Sequence, residues 1–487
     1  MTTGGERFWP LVKRYRTLGL DPLKWIAGCS TEVEREEVVT PALASASDAL
    51  ATLGVSLHPQ AGPDLFELRD LPAVPECVVV RPGAFLPKAG RRVERANPLR
   101  AAVTMRVHQK HADFPGAFAG ALVRALEGLP SETPSALRLN GPIGIGRLHA
   151  VATPHEGADF TLFDLYSAGR GAERGYTAVN CESLQIADAT LDPLAEEHAA
   201  TVVSSALAPL FAVGATQQAA VAPTIDAPGK KAADALAANF HRAARQFGLR
   251  LHDRAPVGIG KLFIGATVVA ETDREVPNKH HYVKRGMQVT ITRAFGELAP
   301  LATYLSCLSD PEQEGKLEAV GLTMAELARA REGSVRALTT PAREAGEVVH
   351  DFSPPFQEAP ELKEHIAATF DVGPRGLFAF LDFARRFEVE LQVRALPLAH
   401  EGISRFATAA LLMDNATASA PGCVAIVAWP SVLDEVDRAL AERGLHPGRV
   451  GEVVGRGRGT LHVPDAASAN IASRRMLREI GVEPAAG

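Results

Sequence analysis

Tyr176–Ile225, YTAVNCESLQIADATLDPLAEEHAATVVSSALAPLFAVGATQQAAVAPTI, is the stretch whose reading decides the fold. It opens on a short apolar strand, Tyr176 to Val179, which breaks at polar residues where a strand's carboxyl end would lie. A polar turn closed by Asp192 and Pro193 leads into a long Ala-rich helix, Leu194 to about Val213, stopped by Gly214. A second apolar strand, Ala219 to Ile225, follows. Asp192 reads as the helix N-cap with Pro193 at the first helical position, and Glu196 and Glu197 complement the first turn's exposed N–H groups. Strand, loop, buried helix, strand is an α/β unit, and the rest of the chain is read as built around it.

A chain of 487 residues suffices for two or three domains with large cores. Its 46% apolar and 22% charged content is that of an ordinary globular protein. A formal net charge of -6 supplies no basic footprint for nucleic acid and no polybasic membrane patch. Cys29, Cys77, Cys181, Cys307 and Cys423 form no CxxC pair. That spacing argues against a disulfide framework or a structural zinc site, and suits a reducing cytoplasm. The first residues, MTTGGERFWPLVKRYR, lack the apolar core of a signal peptide. The uncharged run Ala199–Ile225 contains Ser, Thr, Gln and Pro and reads as buried helix plus strand, not as a membrane span.

Working outward, DFTLFDLYS and GYTAV flank the glycines of AGRGAERG as two strands. TIDAPGKK, Thr224 to Lys231, breaks the pattern and divides the chain. An N-terminal domain is expected over 1–226, with an insertion or added subdomain at about 55–150. A C-terminal domain is expected over 229–470, followed by a tail, 471–487. In that second domain GMQVTITRAFG (Gly286–Gly296) reads as a buried strand running into a loop and a helix, and VGEVVGRGRGTLHVP as a strand pair. GRGRG (Gly455–Gly459) lacks the Walker lysine and Ser/Thr, so it reads as a mobile hairpin with exposed arginines.

Several of these segments resemble the superfamily that includes selenophosphate synthetase (selenide, water dikinase) and aminoimidazole ribonucleotide synthetase. GMQVTITRAFGELAPLATY (Gly286–Tyr304) is similar to that family's strand and loop "GD-x-L-x-LTKPLGTG", with Arg293 in the lysine's place and Gly296 on the turn glycine. ATFDVGPRGLFAFLDFA (Ala368–Ala384) resembles "ATDVTGFGLLGHL-x-E-x-A", keeping Asp371, Gly376 and Leu377 in register. LMDNATASAPGCVAIV (Leu412–Val427) resembles "L-x-DPQTSGGLLI", and VGEVVGRGRGTLHV (Val450–Val463) the closing "IGEV" strand. In the opening stretch Asp192-Pro193 and Gly214 match, while Cys181 and Glu182 stand where the family carries a metal-binding aspartate. GADFTLF (Gly157–Phe163) stands for "GDDAAV", and AGCSTEV (Ala27–Val33) resembles the "GCGCK" segment, with Glu32 where the lysine would be.

The resemblance implies a two-domain α/β (α+β) synthetase fold whose N-terminal sheet domain pairs into a barrel-like dimer interface. It implies a homodimer that binds nucleotide and a small-molecule substrate and uses ATP and Mg²⁺ to phosphorylate a selenium, sulfur or amide-oxygen nucleophile. Such chemistry asks the protein for carboxylates that hold Mg²⁺ and donors that hold phosphate oxygens. The candidate metal ligands are Asp371, Asp159 and Glu182, each near the end of an apolar strand, where an Asp also serves as a turn or cap residue. Arg293, Gly296 and Lys284 are the candidate nucleotide-binding residues, and Cys29 with nearby Lys24 the candidate catalytic pair. Cys29 reads more readily as a small, half-buried residue. A catalytically altered paralogue that keeps the fold as a dimeric binding or scaffold protein is the alternative, and the number of carboxylates converging on one cleft separates the two.

Overall fold

The structure is a computed structural model, and it describes residues 4–20, 22, 44–45, 48–49, 67–69, 136–138, 161–165, 175–184, 186–252, 260, 262–277, 280–356 and 358–482. Lys24, Cys29 and Asp159, and nearly all of 55–150, lie outside the described residues. Within that last span, β1 (Glu67–Arg69) and β2 (Ala136–Arg138) pair antiparallel.

The fold is mixed α/β with two larger sheets. The first has the order β3-β4-β7-β5-β6: β3 (Thr161–Leu165), β4 (Gly175–Leu184), β5 (Gln217–Asp226), β6 (Arg250–Leu251) and β7 (Phe263–Thr272). The strand–helix–strand unit expected from the sequence is present, but its strands are not neighbours. β7 lies between β4 and β5 and pairs antiparallel with both, placing Val179 opposite Val269 and Val221 opposite Val268. A strand from beyond residue 229 therefore forms the middle of this sheet.

Helix α1 (Gly4–Thr17) leads the chain, and α2 (Glu196–Ala212) and α3 (Lys230–Gln246) cover one face of the first sheet. Beyond Glu196 and Glu197, α2 carries no Asp, Glu, Lys or Arg, because it is covered on more than one side. Val203, Leu207, Leu210 and Phe211 pack with the sheet, while Ala212 joins Val348 and Val349 of the second half. Fully burying each of those four larger side chains contributes roughly 1.5–3 kcal/mol. The helix starts later than expected. Ala195 is its N-cap, and Asp192 instead caps the preceding turn, accepting from Leu194 N at 3.0 Å. Gly214 ends the helix with φ +77°.

The second sheet has the order β13-β10-β12-β8-β11-β9. Its strands are β8 (Gln288–Ile291), β9 (Ala368–Asp371), β10 (Val389–Val393), β11 (Val424–Ala428), β12 (Gly448–Arg456) and β13 (Thr460–His462). Between β8 and β9 run α4 (Leu298–Ser309), α5 (Pro311–Ala319), α6 (Met324–Thr339) and α7 (Arg343–Asp351); α8 (Leu377–Phe387) follows β9. Phe378, Phe380, Phe383 and Phe387 of α8 fill the core with Val289, Ile291 and Val453. The expected pairing of the two last strands is not formed. β12 and β13 lie on opposite sides of β10, so the connection between them crosses over that strand's end.

Candidate functional site

Three of the segments that carry the sequence resemblance lie side by side. β8, β11 and β9 are adjacent strands, with Ile291 opposite Ala425 and Asp371 opposite Val424. The carboxyl ends of β8 and β9 thus reach the same edge as the amino end of β11.

The loop 414–423, DNATASAPGC, ties this edge together. Gly422 N donates to Asp371 Oδ1 at 2.9 Å, and Val372 N donates to Cys423 O at 2.8 Å. Arg293 pairs with Glu297, four residues on in the loop before α4, and its Nη2 donates to Ala420 O at 2.9 Å. Glu297 also accepts from Ser419 Oγ and, at 3.3 Å, from Ala420 N. Ser419 N donates to Gly373 O at 2.9 Å, and Thr417 Oγ1 accepts from Leu377 N at 2.9 Å. Glu297, Thr417 and Ser419 are buried, and each polar group so removed from water is met by a partner. Burial pushes the Cys423 thiol up to about 12, Arg293 opposing the shift and Asp371 adding to it.

Two glycines of the resembling segments stand here at positive φ. Gly376 has φ 54° and ψ −127°, and a Cβ on it would lie 2.2 Å from Thr417 O. Gly296 has φ +91°, and its Cβ would lie 3.1 Å from Leu398 Cδ2. Backbone meets backbone at the first position, so only glycine fits.

Asp371, Arg293 and Gly296 are therefore brought together, whereas Lys284 and Glu182 are not. Lys284 is exposed ahead of β8, at the opposite end of that strand from Arg293. Glu182 stands on β4 of the first sheet, opposite Ala266. Among the described residues no three His, Cys, Asp or Glu side chains gather as a metal-ligating group. Glu297, Thr417 and Ser419 were not singled out from the sequence. The four-residue spacing of Arg293 and Glu297, and the polar run between apolar Leu412 and Val424, were the available signals.

A second polar cluster fixes the loop after β4. Asp188, buried, pairs with Arg331 of α6 and accepts from Thr190 N at 2.8 Å. His198 Nδ1 accepts from Ala187 N at 3.1 Å, which leaves its Nε2–H to donate to Asp192 O at 3.0 Å. Tyr15 OH donates to Leu191 O at 3.1 Å, and Arg14 pairs with Asp192, so α1 is fastened to the same loop.

No protein-family model matches the chain, and no curated protein matches it either. Among solved structures it is similar to thiamine-monophosphate kinase from Stenotrophomonas maltophilia K279a, at 18% identity over 62% of this chain and 90% of that one, with a TM-score of 0.41. Thiamine monophosphate kinase from Aquifex aeolicus gives 13% identity, 62% and 90% coverage and 0.41. The hydrogenase maturation protein HypE of E. coli gives 17%, 61% and 86%, and 0.40. No helix of the described residues is long and apolar enough to cross a membrane.

Proposed function

We propose that the chain is an ATP- and Mg²⁺-dependent phosphotransferase of the selenophosphate synthetase-like kind, acting as a cytoplasmic homodimer on a selenium, sulfur or amide-oxygen substrate. The observation that supports it is the convergence of three separately resembling segments on one strand-end edge, with Asp371, Arg293 and Gly296 at its centre. Asp371 is the carboxylate placed to meet a nucleotide-borne cation. Mg²⁺ carried by phosphates asks for only one or two protein carboxylates, so the single Asp371 fits that use and would not by itself make a metal cage. When bound, the ion neutralises charge on the transferring phosphoryl group. Arg293, held by Glu297 and by Ala420 O, presents a fixed cation beside the loop; the backbone of 420–422 sets its distance from Asp371.

A specific feature also favours the scaffold reading. The Arg293 guanidinium is already neutralised by Glu297, and the described residues contain no three-carboxylate group. Isothermal titration with a non-hydrolysable ATP analogue, with and without Mg²⁺, separates the two. Mg²⁺-dependent binding that vanishes in Asp371→Ala is the result expected of the phosphotransferase. Absence of nucleotide binding in either condition rejects it and leaves the scaffold.

A further inference from the structure

Lys284, displaced from the strand-end edge, belongs to a different surface. At the opposite end of the second sheet three segments meet through their backbones. Gly286 N donates to Val453 O at 2.8 Å, and the Arg456 guanidinium donates to Val283 O and Phe387 O, each at 2.9 Å. The crossover from β12 to β13 then lies directly on the last turn of α8. Gly457 N donates to Glu388 O at 3.0 Å, and a Cβ on Gly459, whose φ is +80°, would stand 2.3 Å from Arg385 Cα. The GRGRG segment is thus clamped in place, which replaces the expectation of a mobile hairpin.

Around this junction stand Lys284, Arg285, Arg385, Arg386, Arg456 and Arg458. Carboxylates on the same segments include Asp382, which pairs with Arg375, and Glu388, Glu390 and Glu479; Glu390 lies along Gly455 and Gly457, and Glu479 meets Arg385 at 3.4 Å. Arg385 is met by Glu479 and Arg456 by two backbone carbonyls, so Lys284, Arg285 and Arg458 carry the outward positive charge of this face, on a chain whose formal net charge is -6. Lys284, Arg285 and Arg458 are exposed.

We propose that this face docks a short acidic segment of a partner protein. Arginine forks match carboxylates two bonds at a time. A backbone clamped at Gly457 and Gly459 has already given up the freedom that a mobile loop would lose on binding. The overall negative charge disfavours a long polyanion such as nucleic acid, with a charge every ~1.7 Å of duplex, whereas a short run of carboxylates lies within the local positive excess. The inference is independent of the phosphotransferase reading.

The test uses the full chain and a fluorescein-labelled oligoglutamate peptide, followed by anisotropy at increasing salt. Binding that weakens with salt is expected, as is a loss of about tenfold or more in Arg285→Glu/Arg458→Glu. The neutral pair Arg285→Ala/Arg458→Ala should fall between, and Arg329→Glu, on the exposed side of α6, should bind like the parent. Circular dichroism melting of each variant establishes that it is folded. No peptide binding at low salt, or equal binding by the reversed pair, would overturn the proposal. So would tighter binding of a single-stranded oligonucleotide of equal charge, lost in the same pair.

Discussion

His198 is a buried histidine whose hydrogen bonds dictate its charge. With Nδ1 accepting from Ala187 N–H, a second proton there would face a donor, and burial holds the imidazole's pKa below 6.5 despite nearby Asp188. The unfolded chain therefore takes up a proton first as pH falls, and stability is lost progressively below about pH 6.5. His198→Gln, which retains an acceptor and a donor, should flatten the fall in Tm between about pH 7 and about pH 5. Parallel Tm–pH curves for parent and variant would reject the neutral assignment. Cys307 and Cys423 make a second prediction at this scale. Burial raises both thiols to about 12, so iodoacetamide at neutral pH should leave both unmodified in the native protein and label both after unfolding, as read by peptide mass mapping. Residue identity alone revealed part of this. Asp371 and Arg293 announced themselves at strand ends, but Glu297 looked like any helix-start glutamate, because only the fold brings Ser419 and Ala420 to it.

At the scale of elements, two glycines with positive φ predict different costs. Gly376→Ala drives a Cβ into Thr417 O and should destabilise by about 3 kcal/mol. Gly248→Ala, at φ +65° with nothing near, should cost about 1 kcal/mol. Urea unfolding of both checks the order, and equal losses would mean that the 376–417 contact yields easily. On the proposed phosphotransferase reading, only the first should also weaken nucleotide-analogue binding. The elements themselves were largely legible. The apolar runs of β5, β8 and β11, and the stretch of α2 beyond Glu197 that lacks Asp, Glu, Lys and Arg, follow from burial on both sides. Boundaries were less so: Asp192-Pro193 has the composition of a helix start yet caps a turn, since either arrangement satisfies the same side-chain oxygen. The β12–β13 pairing was misread because glycines at a turn look alike whether the chain returns beside itself or passes over another strand.

For the whole molecule, Asp188 and Arg331 join the first half's loop to a helix of the second, with the carboxylate only 3% exposed. Arg331→Met leaves that buried charge with only its Thr190 hydrogen bonds and no counter-ion, and should cost about 3 kcal/mol; adding Asp188→Asn should restore part of it. A chemical-denaturation double-mutant cycle measures the coupling, and additive losses would show the pair to be idle. No sequence pattern connects residues 188 and 331, so this link was invisible until the chain was folded. The position of β7 reaches further. Because the strand in the middle of the first sheet is made after both its neighbours, β4 and β5 leave the ribosome with no strand between them. The edges that face each other across this gap lack their hydrogen-bond partners until Phe263–Thr272 has emerged. A stalled nascent chain ending before residue 263 is thus expected to be protease-sensitive, and one extended past residue 272 by an exit tunnel's length, protected.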